Sequence, residues 1–182
     1  MWKTFEKGLK MNQRDAIIDI AITQLGYTEG PNNDTKYGDW YGLPNEPWCA
    51  MFISWCAYYA GIPTTIIPKY ASNTAGFEIM TQMGITTTEK ITPRKGDIIF
   101  FDWDLSGDKD HCGLVEYVEN GRVHTIEGNH GDNVARYDYA LDYVCIARLC
   151  YATLWRRTNT GFFKKIKVSL GNLFKKIKRK KG

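Results

Sequence analysis

The sequence predicts an α+β domain, with helices in its first half and an antiparallel sheet in its second. Three observations carry this. Apolar residues recur at helical spacing over 12–25 and again over 47–60. From residue 96 onward the runs are short, β-branched or aromatic, and separated by turn residues. Asn120-Gly121 between two such runs is a strong hairpin signal, which makes its flanking strands antiparallel neighbours. Helices first and strands afterwards is the order of a segregated α+β fold.

The first helix covers 12–25, with Asn12 as its cap and Ile17, Ala21 and Leu25 as a stripe ending at Gly26. Residues 26–46 read as loop, punctuated by Gly30, Pro31, Gly38, Gly42 and Pro44. Helix returns over 47–60 and stops at Gly61, before Pro63. A shorter one spans 72–83, capped by Ser72 or Asn73 and closed by Gly84. A strand over 96–103 leaves the Pro93–Gly96 turn. Residues 111–118 and 122–127 flank the hairpin turn, and 134–139 and 143–149 supply two more strands. There is no internal repeat.

Charge divides the chain. The net +4 hides eleven basic and no acidic residues from Arg156 onward, leaving 13 basic against 20 acidic residues before it. The reading is an acidic body, 1–155, and a cationic tail, 156–182. The N-terminus has no apolar run or small-residue cleavage pattern of a signal peptide, and no stretch is long and apolar enough to span a membrane. Synthesis in a cytosol is expected, so the five cysteines, an odd number, predict no disulfide framework.

Cys49 follows Pro47 and Trp48 and falls in the first turn of its helix, where backbone N–H groups favour a thiolate. Cys56, two turns deeper, reads as a packing residue. A thiolate nucleophile needs a base and the base an orienting group. Of His111, His124 and His130, His111 opens the first hairpin strand, beside where Glu127 and Asn129 end its partner. Register tests the idea. A strict two-residue loop pairs Leu114 with Glu127 and puts His111 on the other face from the carboxylate. A catalytic His111 therefore predicts a three-residue loop, 119–121, or a bulge, which sets Asn129 opposite His111 and Glu127 on its face.

The ordered set TKYGDWYG, PWCAMFISWCAYYAG, ASNTAG, GDIIFF, DHCGLVEYV and HTIEGN resembles the CHAP domains of peptidoglycan hydrolases over roughly 12–150. The resemblance implies a papain-like fold of the CHAP and NlpC/P60 kind, N-terminal helices packed on an antiparallel sheet. It makes Cys49 the nucleophile, His111 the general base and acid, Glu127 the residue orienting the imidazole, and Asn129 a further polar residue beside it. The Cys49 N–H would form part of an oxyanion hole. Where the family often has a β-branched residue after the histidine, this chain has Cys112, which strand alternation sends to the opposite face as packing.

The resemblance further implies a cysteine amidase or endopeptidase of the phage endolysin type. It would be held in the host cytoplasm until lysis and then act on wall peptidoglycan, either at the muramic acid–L-alanine bond or within the peptide. The expected protein is a monomer with no cofactor needed for the chemistry and no nucleic-acid partner. Calcium is one reading of the acidic loop DWDLSGDKD, through Asp102, Asp104 and Asp108. The alternative is a solvated turn, since position twelve of a calcium loop is Gly113 rather than Glu. Tyr37, Trp40, Tyr41 and Trp48 crowd the segment before the nucleophile, divided in unknown proportion between core and substrate groove.

Residues 162–181 carry Phe162, Ile166, Leu170, Leu173 or Phe174, and Ile177 at steps of three and four, with lysines on the other faces. This predicts a C-terminal basic amphipathic helix for an anionic membrane or envelope polymer. Gly171 weakens it by about 1 kcal/mol. The rival to an enzyme is a non-enzymatic antibacterial protein that binds wall or membrane and acts through this helix.

Overall fold

The computed structural model describes residues 12–89, 91–141 and 145–147. The chain divides into two units at Cys150/Tyr151, and everything below belongs to the first. The predicted tail helix lies outside the described residues.

Helix α1 spans Gln13–Ile22, and the Asn12 side chain accepts from the Arg14 N–H as its cap. Helix α2, Lys36–Tyr41, corrects the reading of 26–46 as loop throughout. Its signals are local: Thr35 caps the Gly38 N–H, and Gly42 takes the left-handed conformation at φ 93 to close it. Helix α3 is Cys49–Tyr59 and α4 is Asn73–Gln82, capped by Ser72.

The strands are β1 Thr86–Thr87, β2 Ile98–Phe101, β3 His111–Glu119, β4 Arg122–Gly128, β5 Val134–Ala140 and β6 Cys145–Ala147. They form one sheet in the order β1-β6-β2-β3-β4-β5, with every pairing antiparallel. Ile98, Phe100, Cys112, Leu114, Ile126 and Gly128 share one face by register. Gly128 sits so close under α3 that a Cβ there would meet Trp48 at 2.6 Å and Phe52 at 2.8 Å. Glycine at this point lets α3 lie against the end of β4.

The other face carries Ile99, Phe101, Val115 and Val123, packed with Val118, Tyr139 and Leu141. The aromatic group before α3 now divides. Tyr37 and Trp48 are fully buried and stacked at 5.1 Å, and the Trp48 indole donates to Glu29 Oε2 at 2.6 Å. Trp40 and Tyr41 are half-buried beneath the Lys69 ammonium.

The hairpin settles the register test. Glu119 pairs with Arg122, so the loop has two residues, Asn120 at φ 49 and Gly121 at φ 74. A bulge then falls between Val115 and Tyr117: Tyr117 pairs with His124, but Val115 pairs with Thr125 and Leu114 with Ile126. Glu116, the extra residue, turns out to a two-pronged ion pair with Arg136 at 2.7 and 2.9 Å. The shift places Gly113 opposite Glu127, and so Glu127 on the face of His111.

Candidate active site

Cys49 opens α3 and is 7% exposed. Its N–H, in the first helical turn, has no intrahelical acceptor. Across from it stands His111, the first residue of β3, buried at 5% exposure. His111 Nε2 lies 3.0 Å from Glu127 Oε2, and Glu127 is wholly buried. Gly113 leaves that carboxylate its space, since a Cβ there would stand 2.8 Å from Glu127 Cγ. Thr125 Oγ1 donates to Glu127 Oε1 at 2.5 Å, and the Tyr139 hydroxyl donates to Oε2 at 3.1 Å. Trp103, 53% exposed, stacks on the His111 ring at 5.6 Å and 17°.

The electrostatics follow from these contacts. The Cys49 thiol is held well below its ordinary range, most of all by a hydrogen bond from Cys112. Burial opposes the shift, and the His111 and Asn73 contacts add to it. Cys112 is pushed well up by burial and by the Cys49 charge, so it stays a neutral S–H donor. The sequence reading of Cys112 as packing is therefore incomplete: it faces away from His111, yet it donates to the Cys49 sulfur. Burial disfavours the His111 imidazolium, but Cys49 and Glu127 overcome this and push its pKa up to about 9. Burial likewise works against the Glu127 carboxylate, and His111, Thr125 and His130 hold its pKa below the ordinary value. These shifts favour a thiolate–imidazolium pair steadied by a carboxylate.

Four of the sequence-derived residues can now be placed. Cys49, His111 and Glu127 come together. Asn129 does not join them through its side chain: among the described residues its amide makes no hydrogen bond to His111 or Glu127. Its contribution is backbone, a left-handed turn at φ 59 that ends β4. The amide that touches the sulfur is Asn73, at the start of α4, whose Nδ2 is 3.2 Å from Cys49 Sγ and 3.2 Å from the Asp110 carbonyl. Two acceptors around one nitrogen fix which way that amide points. The reading of the sequence also missed His130, whose Nδ1 lies 2.8 Å from Glu127 Oε2.

The acidic loop differs from its predicted ligand set. Asp102, Asp104 and Asp110 converge, whereas Asp108 turns toward Thr74 at 3.5 Å. The three carboxylates are engaged by the loop itself, through the N–H groups of Gly107, Ser106 and Trp103. Lys109 Nζ sits 3.0 Å from Asp102 Oδ2, and Asp102 Oδ1 is buried without a hydrogen-bond partner. His111, Glu127 and His130 also offer three donor atoms close together. Glu127 Oε2, however, takes hydrogen bonds from both imidazoles, an arrangement of donors around an acceptor rather than of ligands around an ion.

The fold and this geometry define a class: an α+β domain with a thiol at a helix start facing a histidine–carboxylate pair on adjacent strands. Residues 36–129, more than half of the chain, match the CHAP domain, and the chain belongs to that family. Among curated proteins none matches. Among solved structures, the chain is similar to "The crystal structure of Ly7917", at 16% identity and a TM-score of 0.44, covering 74% of this chain and 62% of that one. A second match is "The crystal structure of Ly7917 with the hydrolyzing product of MDP", at 16% identity, a TM-score of 0.43 and the same coverage.

Proposed function

We propose that this protein is a peptidoglycan hydrolase that opens an amide bond of the bacterial wall by cysteine acyl transfer. Membership of the CHAP domain family supports the substrate class. The observation that carries the chemistry is the pairing of a buried, acidified Cys49 thiol with a His111 imidazole held by Glu127.

Because Glu127 engages Nε2, the His111 nitrogen free to exchange a proton with Cys49 and substrate is Nδ1. The Cys49 thiolate attacks the amide carbon and the carbonyl π electrons move to oxygen. The Cys49 N–H, and the Asn73 amide as it leaves the sulfur it contacts, would donate to that oxyanion. Collapse breaks the C–N bond as Nδ1 gives its proton to the leaving amine, leaving a thioester on Cys49. His111 then takes a proton from water, hydroxide adds to the thioester, and the acid is released as the thiol returns.

The finer reading is a phage endolysin acting as N-acetylmuramoyl-L-alanine amidase or peptide endopeptidase, both of which this site chemistry serves. Its cationic segment 162–181 would hold it to an anionic membrane or envelope polymer, a reading that rests on the sequence periodicity alone. The test is digestion of purified peptidoglycan by the full chain and by Cys49→Ala, with mass spectrometry of the fragments. New amino termini without new reducing ends are expected, at a bond that the fragment masses identify. Digestion that survives Cys49→Ala would overturn the proposal.

A further inference from the structure

His130 has no part in the acyl-transfer steps, yet it is built into the site with care. Asn129 at φ 59 and Gly131 at φ 70 fold the chain back at the end of β4. This returns the His130 ring over the strand it has just left, with Nδ1 2.8 Å from Glu127 Oε2. The ring lies flat on Tyr137, centroids 3.8 Å apart and planes 11° apart, and the Tyr137 hydroxyl donates to the His130 carbonyl at 2.5 Å. Tyr139 Oη is 3.2 Å from Nδ1. A lone pair at Nδ1 would face a carboxylate oxygen, so Nδ1 must carry hydrogen, either in the Nδ1–H tautomer or in the imidazolium.

One carboxylate oxygen therefore serves two imidazoles. Glu127 Oε2 accepts from His111 Nε2 on one side and His130 Nδ1 on the other, with the ring centroids 5.4 Å apart. The two differ in exposure: the His130 side chain is 34% accessible and that of His111 is 6%. The titratable groups that meet His130 are Glu127 from β4, His111 from β3, and Tyr137 and Tyr139 from β5.

We propose that His130 is a positioning residue that acts on His111 through the shared Glu127 carboxylate. As Nδ1–H it fixes the carboxylate against His111. This rests on the thiolate–imidazolium reading of the site, but not on which bond is cut.

The test follows Cys49 alkylation by iodoacetamide against pH, read by mass mapping of the Cys49 peptide in the full chain. Wild type, His130→Ala and His130→Asn are compared, with kcat and KM on peptidoglycan measured separately. Asparagine places an amide N–H where Nδ1 stands. Expected are a roughly tenfold lower kcat with unchanged KM in His130→Ala, recovery to within about twofold in His130→Asn, and an acid limb of Cys49 alkylation displaced to higher pH in His130→Ala and restored in His130→Asn. Identical alkylation profiles in all three proteins, or a His130→Asn as impaired as His130→Ala, would overturn the proposal. Alkylation reads the ion pair without wall substrate, so failure of the hydrolase reading would leave this result standing.

Discussion

The two cysteines of α3 stand seven residues apart on one helix, both among apolar neighbours, and their chemistry is opposite. Cys56 is fully enclosed and burial alone pushes its thiol well above the ordinary range. Cys49 is nearly as enclosed, yet its thiol is held well below that range. Burial raises both. What separates them is the polar company at the first turn: Cys112, His111 and Asn73 all reach Cys49. Position at a helix start supplies free N–H groups, but the side chains from β3 and α4 are what hold the thiol pKa down.

Breaking the Cys49 end should have the largest effect. Cys49→Ala is expected to lower peptidoglycan hydrolysis by about 10⁴-fold or more while leaving the melting temperature nearly unchanged; turnover assays and thermal unfolding check both. Glu127→Gln keeps the shape but not the charge that stabilises the imidazolium. It should reduce kcat by roughly 10²- to 10³-fold and lower the pH at which His111 gives up its proton. Gly113→Ala reaches the same carboxylate sterically, because the new methyl would meet Glu127 Cγ at 2.8 Å. A loss on the order of tenfold in kcat is expected as the triad opens.

The pH profile sharpens the comparison. His111 must be charged to protonate the leaving amine, and its pKa is raised to about 9. kcat/KM should therefore hold through neutral pH and fall about tenfold per unit above that value. It should fall on the acid side as the Cys49 thiolate takes up a proton, well below an ordinary thiol's range. At the other end of the helix, Cys56→Ser should leave kcat unchanged per folded molecule. It would cost about 1–3 kcal/mol of stability through a buried hydroxyl without a partner, measurable by urea unfolding.

Much of this was legible beforehand, for reasons that differ by element. Helices α1, α3 and α4 and the β3–β4 hairpin announce themselves by periodicity and by Asn12, Ser72 and Asn120-Gly121, all local signals. Helix α2 was not legible because six residues carry too little periodicity, and only Thr35 and Gly42 mark its ends. Cys49, His111 and Glu127 could be linked through strand pairing, a rule of counting. Asn73 and His130 could not. One arrives from a different helix, and the other by a left-handed turn, so nothing in their spacing singles them out. Asn129 came from the resemblance and from strand adjacency, which says nothing of an amide brought in by another helix. The same holds in the acidic loop, where Asp110 rather than Asp108 joins Asp102 and Asp104.

The bulge at Glu116 has a consequence for the length of the chain rather than its composition. It is one residue of slack between the turn and the catalytic strand end. Removing Glu116 would close the ladder and leave Val115 with Thr125, Leu114 with Ile126 and Tyr117 with His124, every partner kept. An added residue in β3 has no such refuge and would turn His111 to the opposite side of the sheet from Glu127. The hairpin can therefore shorten by one at this point and keep its chemistry, but it cannot lengthen.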